Sequence, residues 1–264
     1  MPDFSIVDTH VHLWNPSLLN YGWIKSVEKL NRQFLPSDFR DHCGSVQVDK
    51  MVFLECDPNS KQFVDEAKWV VSLTDEEPRI KGIVAHAPLH KGVSAKDDLE
   101  KLVEIPLVKG VRRLIQSESL GFCLDSQFVE GIQALSDFGL SFDLCIFHPQ
   151  LSQIVKLVRQ CPQVQFVLDH IGKPGIKDGV LEPWRSELRQ LGELPNIWCK
   201  ISGLVTEADP ENWTPDDLKP YIDNVLEIFG FDRVMYGGDW PVSTLATTYP
   251  TWVEVDMPVL GHDE

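Results

Sequence analysis

Basic residues are scarce in this chain of 264: Lys and Arg number 24 against 40 Asp and Glu, a formal net charge of −16. Without clustered cations to displace counterions, the composition argues against a nucleic-acid-binding surface. No run approaches the roughly 20 apolar residues of a membrane span. The opening MPDFSIVDTHVHLW lacks the cationic and apolar regions of a secretory signal. The six cysteines (Cys43, Cys56, Cys123, Cys145, Cys161 and Cys199) have no paired spacing, which points to buried, reduced thiols in a cytoplasmic protein. There is no low-complexity tract, no Gly/Ser linker and no short-period repeat. What remains is 43% hydrophobic and 24% charged, too apolar for a disordered chain and long enough for one α/β barrel or two smaller domains.

What is present is a short apolar run followed by a polar, helix-like stretch, repeated along the chain. The runs are Ser5–Val11, Lys50–Glu55, Ile80–His86, Val108–Ile115, Ser141–Phe147, Val164–His170, Asn196–Ser202 and Arg233–Gly237. Each has the length and β-branched content of a strand buried on both faces. Between them, Lys61–Leu73, Asp125–Phe138, Ser152–Arg159, Trp184–Leu191 and Asp216–Phe229 are amphipathic at helical period. Ser126 reads as one helix cap, and Thr214-Pro215-Asp216-Asp217 as another with Pro at the first helical position. Eight such runs predict a parallel (β/α)8 barrel, a single domain over residues 1–264. A doubly wound open sheet is the alternative, but the first strand leads into Asp8-Thr9-His10-Val11-His12 and not a Gly-rich phosphate loop.

The chemistry-bearing residues sit where these strands stop. His10 and His12 are two apart on the first strand, so both imidazoles project to one face, as half of a metal site would. Alone, that pair could equally be two solvated histidines. Glu55 ends the second run, Arg112 lies in the fourth, and His148 follows the fifth. His170 ends the sixth beside Asp169, and Asp239 ends the eighth. In a closed barrel all of these converge on the C-terminal face. Arg112 suits a substrate carboxylate or sugar hydroxyls, or else an ion pair with Glu55. Trp14, Tyr21 and Trp23, in the loop after the first strand, offer flat faces to a sugar ring or pack that loop on the barrel. Lys200 and Glu207 lie near the seventh strand end without an assigned role, and His86 reads as a polar strand end.

Six segments carry a family likeness: VDTHVHLWNP (Val7–Pro16), YGWI (Tyr21–Ile24), VKGVRRLIQ (Val108–Gln116), FVLDHIGKP (Phe166–Pro174), CKISGL (Cys199–Leu204) and YGGDWPV (Tyr236–Val242). Together they resemble the amidohydrolase superfamily, in its amidohydrolase-related branch. That branch includes sugar-acid lactonases of the L-fuconolactonase and L-rhamnonolactonase type. The resemblance implies an imidazole cluster of His10, His12, His148 and His170, with Asp239 activating water. Arg112-Arg113 stand where a carbamate-bridging lysine would be, so at most one divalent ion is implied, most naturally zinc. Some members of the branch work without metal; His148, His170 and Arg112 would then polarise the carbonyl as hydrogen-bond donors. The implied activity is hydrolysis of a small sugar lactone. A metal-dependent decarboxylase and a silent sugar-acid-binding barrel are the alternatives.

The end of the chain departs from this pattern. Thr247–Trp252 can begin a covering helix, but Val253-Glu254-Val255-Asp256-Met257-Pro258 predicts a break after barely one turn. The expectation is a shortened or altered final helix that leaves the outer faces of strands eight and one partly bare.

Overall fold

The computed structural model describes residues 4–260, with side chains through residue 255. Eight strands pair in parallel, each with the next in chain order: β1 (Ile6–Val11), β2 (Val48–Leu54), β3 (Ile80–His86), β4 (Val108–Arg112), β5 (Ser141–Leu144), β6 (Phe166–Leu168), β7 (Ile197–Ile201) and β8 (Val234–Tyr236). Helices occupy the crossovers. After β1 to β6 come α1 (Pro36–Cys43), α2 (Phe63–Ser72), α3 (Lys96–Val103), α4 (Ser126–Ala134), α5 (Leu151–Gln160) and α6 (Trp184–Gly192). Two helices, α7 (Leu204–Glu207) and α8 (Pro215–Phe229), follow β7, and α9 (Tyr249–Leu260) follows β8. Alternation of one strand with one crossover around a parallel sheet is the (β/α)8 architecture.

The seam between β8 and β1 closes just past the last strand. Asp239 N donates to His10 O at 2.8 Å and His12 N to Trp240 O at 2.7 Å, with Val11 and Trp240 bridging in parallel. The chain can pass this close because residue 238 is glycine: a Cβ there would lie 2.4 Å from Asp8 Oδ2. Gly238 N instead donates to Asp8 Oδ1 at 2.8 Å.

Each helix lays an apolar stripe on the barrel. On α5, Leu151, Ile154, Val155 and Val158 are buried, at the i, i+3, i+4, i+7 spacing of one face. Thr214 caps α8 as expected, its Oγ1 and N both donating to Asp217 Oδ2. On α4 the cap is Asp125, one residue before the predicted Ser126. The Asp125 carboxylate accepts from Gln127 N at 2.9 Å and Phe128 N at 3.4 Å. Asp125→Ala is therefore expected to cost about 1 kcal/mol in urea unfolding. Ser126→Ala should change stability by less than about 0.5 kcal/mol.

The final helix corrects the sequence expectation. It does not break at Val253–Pro258 but runs on to Leu260. Tyr249, Trp252 and Val253 are buried. Tyr249 Oη donates to Asp8 Oδ2 (2.8 Å) and Trp252 Nε1 to Gly237 O (3.0 Å). Poor β-branched propensity costs only tenths of a kcal/mol per residue, about 0.7 at most. Burying two large aromatic side chains contributes several times that, roughly 1.5–3 kcal/mol each. The expected bareness persists in part: Val7 on β1 is 47% exposed, and Val234 and Met235 on β8 are half-buried. All six cysteines are buried and free. Among the described residues no helix is long and apolar enough to cross a membrane.

Candidate active site

Seam closure brings Asp239 against the two histidines of β1. His10 Nε2 and His12 Nε2 are 3.1 Å apart, and Asp239 Oδ1 lies 3.6 Å from the first and 3.5 Å from the second. Asp239 adopts φ +49°, the left-handed region that costs a non-glycine residue about 1 kcal/mol or more. Burial alone would raise its carboxyl, but the surrounding His170, His12 and His10 rings hold it well below the usual carboxylate range.

The proton positions on the histidines follow from their outer partners. His12 Nδ1 is 2.9 Å from Leu54 O, and a carbonyl only accepts, so Nδ1 carries the proton and Nε2 a bare lone pair. His10 Nδ1 faces Asp169 Oδ1 at 3.4 Å, an oxygen that Lys200 Nζ also approaches at 3.1 Å. His10 Nε2 is then also a lone pair, with Arg112 Nη1 3.4 Å away. His170 Nδ1 is taken by Ser202 Oγ at 2.9 Å, which leaves its Nε2 for a ligand. Burial pushes His170 down to about 4, so the ring is neutral. Its close seat against β7 requires Gly203, where a Cβ would lie 2.5 Å from His170 Nδ1.

Two lone pairs and a carboxylate oxygen meeting in a buried space repel one another unless a cation joins them. His10, His170 and Asp239 each offer one atom within 4.8 Å of the others, and His12 adds a fourth donor. Nitrogen and oxygen donors with an acceptor behind His10 fit a divalent transition ion.

Beneath this cluster runs a buried chain of ion pairs. Arg112 Nε donates to Glu55 Oε1 (2.7 Å), Nη2 to Glu55 O (2.6 Å) and Nη1 to Asp169 Oδ2 (3.1 Å). Lys200 Nζ reaches Asp143 Oδ2 (2.5 Å) and Asp169 Oδ1 (3.1 Å). Burial would raise Glu55, yet the Arg112 guanidinium, with His86 and Asp57 N–H, brings it to about 2 from an ordinary 4.5. A carboxyl lowered on folding stabilises the fold fully above its unfolded value and loses that contribution as pH falls towards its folded one. The urea midpoint is expected to drop as pH falls from about 4.5 to about 2, Glu55 contributing across that whole span. An unchanged midpoint over those values would contradict this ion-pair assignment.

Above the cluster lies a cavity of about 240 Å³. That is below the roughly 300–1,000 Å³ of pockets for drug-sized ligands, and suits one small ring. His12, His170 and Asp239 stand at its reactive end; Trp23, Leu114 and Val242 give an apolar wall; Asp57, Gln116, Ser117, Lys173 and Thr206 supply polar groups.

The family model described as Amidohydrolase matches residues 7–263. The chain belongs to the amidohydrolase family. An L-fucono-1,5-lactonase of Burkholderia multivorans is 30% identical over 257 residues, covering 92% of this chain and 84% of that protein. An L-fucono-1,5-lactonase of Burkholderia ambifaria is 29% identical over 244 residues, covering 91% and 81%. A crystal structure of an amidohydrolase from Burkholderia multivorans with bound zinc superposes with a TM-score of 0.85 at 27% identity, over 98% of this chain and 92% of that one.

In this amidohydrolase the structure gathers His10, His12, His170 and Asp239, but not His148. That residue sits half-buried in the turn His148–Gln150; a Cβ on Gly175 would lie 3.8 Å from its Nε2, and its Nδ1 has no partner. β5 ends at Leu144, and His148, four residues on, is not among the residues that line the cavity. Trp23 lines the cavity, its Nε1 donating to Cys56 O at 2.8 Å. Trp14 and Tyr21 do not: Trp14 packs on Phe34 and Trp23 in the core, and Tyr21 is buried behind the mouth. Arg112 touches the cavity but is committed to Glu55, which lies beneath the surface. Asp169, Lys200 and Asp143 carry structural charge that received no role from sequence. A lone lysine or aspartate inside a strand buried on both faces was the available signal, since such a charge must be paired.

Proposed function

We propose that this amidohydrolase hydrolyses the ester bond of a small sugar-acid lactone, of the L-fuconolactone or L-rhamnonolactone type, to the open acid. The observation that carries the reading is a buried carboxylate, Asp239, set 3.5–3.6 Å from two imidazole nitrogens at the end of a cavity sized for one ring. The lactonase relatives support the reaction class.

Asp239 orients a water and accepts its proton as the oxygen attacks the lactone carbonyl carbon. The ring C–O bond then breaks and Asp239 returns the proton to the departing alkoxide, which leaves on receiving it. His170, neutral and fixed by Ser202, presents Nε2 to the reacting group. Trp23 and Val242 shield the site from bulk water. His10, His12, His170 and Asp239 would hold one divalent ion, zinc by the donor set. When bound it supplies a Lewis acid for the carbonyl oxygen.

A panel of aldonolactones followed with a pH indicator tests the reading. Proton release on at least one is expected; binding without turnover, or release of carbon dioxide from an acid, would overturn it. Chelation is expected to lower the rate more than about tenfold, with recovery on adding zinc. Full activity after complete metal removal would leave polarisation to His170 and Arg112 alone.

A further inference from the structure

Arg112 and Lys173 are the two cations on the cavity wall among the described residues. Arg112 spends three of its five N–H donors on Glu55 and Asp169, whose two carboxylates balance its charge. Among the described residues Lys173 makes no ion pair within 4 Å, the Glu207 carboxylate being its nearby charge: its Nζ donates to Gln116 Oε1 at 2.7 Å and stands 5.2 Å from the Phe147 ring centroid. A half-buried ammonium on an amide oxygen retains two N–H donors.

The backbone that delivers Lys173 is strained. His170, Ile171, Gly172 and Lys173 have φ of +54°, +49°, +76° and +47° in succession. Three are non-glycine, each costing about 1–2 kcal/mol in this region. The turn is clamped by Trp184 Nε1 donating to Ile171 O (2.7 Å) and by Lys173 N donating to His170 O (2.8 Å). Its effect is to aim two side chains, His170 and Lys173, into one cavity. Strain held in place this way collects where a side-chain position matters for function.

The neighbouring wall decides what Lys173 binds. Its partner Gln116 lines the same cavity, as do Ser117 next to Gln116, Thr206 and Asp57. A wall with both a fixed anion and a free cation disfavours a second substrate carboxylate and matches hydroxyls, which donate to one and accept from the other. We infer that Lys173, held by Gln116, is the residue that recognises the ring hydroxyls of the lactone. This rests on the lactone reading above and assigns the part of the site that distinguishes a sugar lactone from an unsubstituted one.

The test compares two substrates in each variant: a polyhydroxylated aldono-1,5-lactone and δ-valerolactone, the same ring without hydroxyls. Lys173→Met is expected to lower kcat/KM for the aldonolactone roughly ten- to hundredfold and for δ-valerolactone less than about threefold. Gln116→Leu, which leaves the strained turn untouched, should show the same selective loss and keeps the test open if Lys173→Met misfolds. Equal losses on both lactones, or none on either, would overturn the assignment while leaving lactone hydrolysis standing. Failure of the wild-type chain to open any lactone would instead remove the reading beneath it.

Discussion

Asp239→Asn is expected to lower kcat on the preferred lactone roughly 10²- to 10⁴-fold while the fold survives. Asparagine keeps the volume and one acceptor oxygen, and it tolerates the left-handed backbone at this position better than most residues. The backbone bond from residue 239 to His10 O, which closes the barrel seam, is also retained. What is lost is the proton acceptor and a negative charge facing His10 and His12. Far- and near-ultraviolet circular dichroism should match the wild type, and the loss should fall on kcat more than on KM. Zinc content after loading separates the two duties of the carboxylate: a variant that still holds metal yet does not turn over has lost the base. Activity within about tenfold of wild type would sink Asp239 as the group that activates water.

How far this site could be read in advance depended on the kind of residue. His10, His12, His170 and Asp239 each follow an apolar strand, so topology alone brings them to one face. The strands themselves shortened wherever the chain turned into the mouth: Val164–His170 yields only Phe166–Leu168, because Asp169–Gly172 leaves the ladder in a tight turn. His148 was misplaced for the same reason, since a position after a strand says nothing of how quickly the chain departs. The aromatic loop was ambiguous because Trp14 and Trp23 have the same chemistry, yet one fills the core and the other faces the cavity. Arg112 shows a limit of another sort. Which of two partners a buried arginine takes is a matter of ångströms, and here Glu55 and Asp169 take it. Lys173 lay inside a motif segment, but its proposed role rests on four successive left-handed residues, 170–173, three of them non-glycine, that no local pattern announces.

Lys200→Met is expected to destabilise the protein by about 3–5 kcal/mol, because it leaves two buried carboxylates without their shared cation. Lys200, Asp143 and Asp169 are all buried at 2% exposure or less. Burial would lower the Lys200 ammonium, and Asp143 with Asp169 raises it above its ordinary value instead. Methionine matches the length and apolar stem, so packing is largely preserved and the loss reads the charge. For a chain of this size the deficit corresponds to a fall in Tm of about 10 °C at a fixed scan rate. The double variant Lys200→Met/Asp143→Asn should recover part of the loss, because one of the stranded charges is then gone. The pH dependence gives an independent sign. Burial raises Asp143 to about 6 even beside Lys200, and removing the lysine raises it further. A carboxyl that binds protons more tightly folded than unfolded makes the fold more stable as pH falls. The difference between Lys200→Met and wild type should therefore be largest above neutral pH and shrink as pH falls towards about 6, below which Asp143 is protonated in both folded proteins. A deficit that stays constant over that range would mean lost packing around residue 200, and the buried charges would not be what Lys200 holds in place.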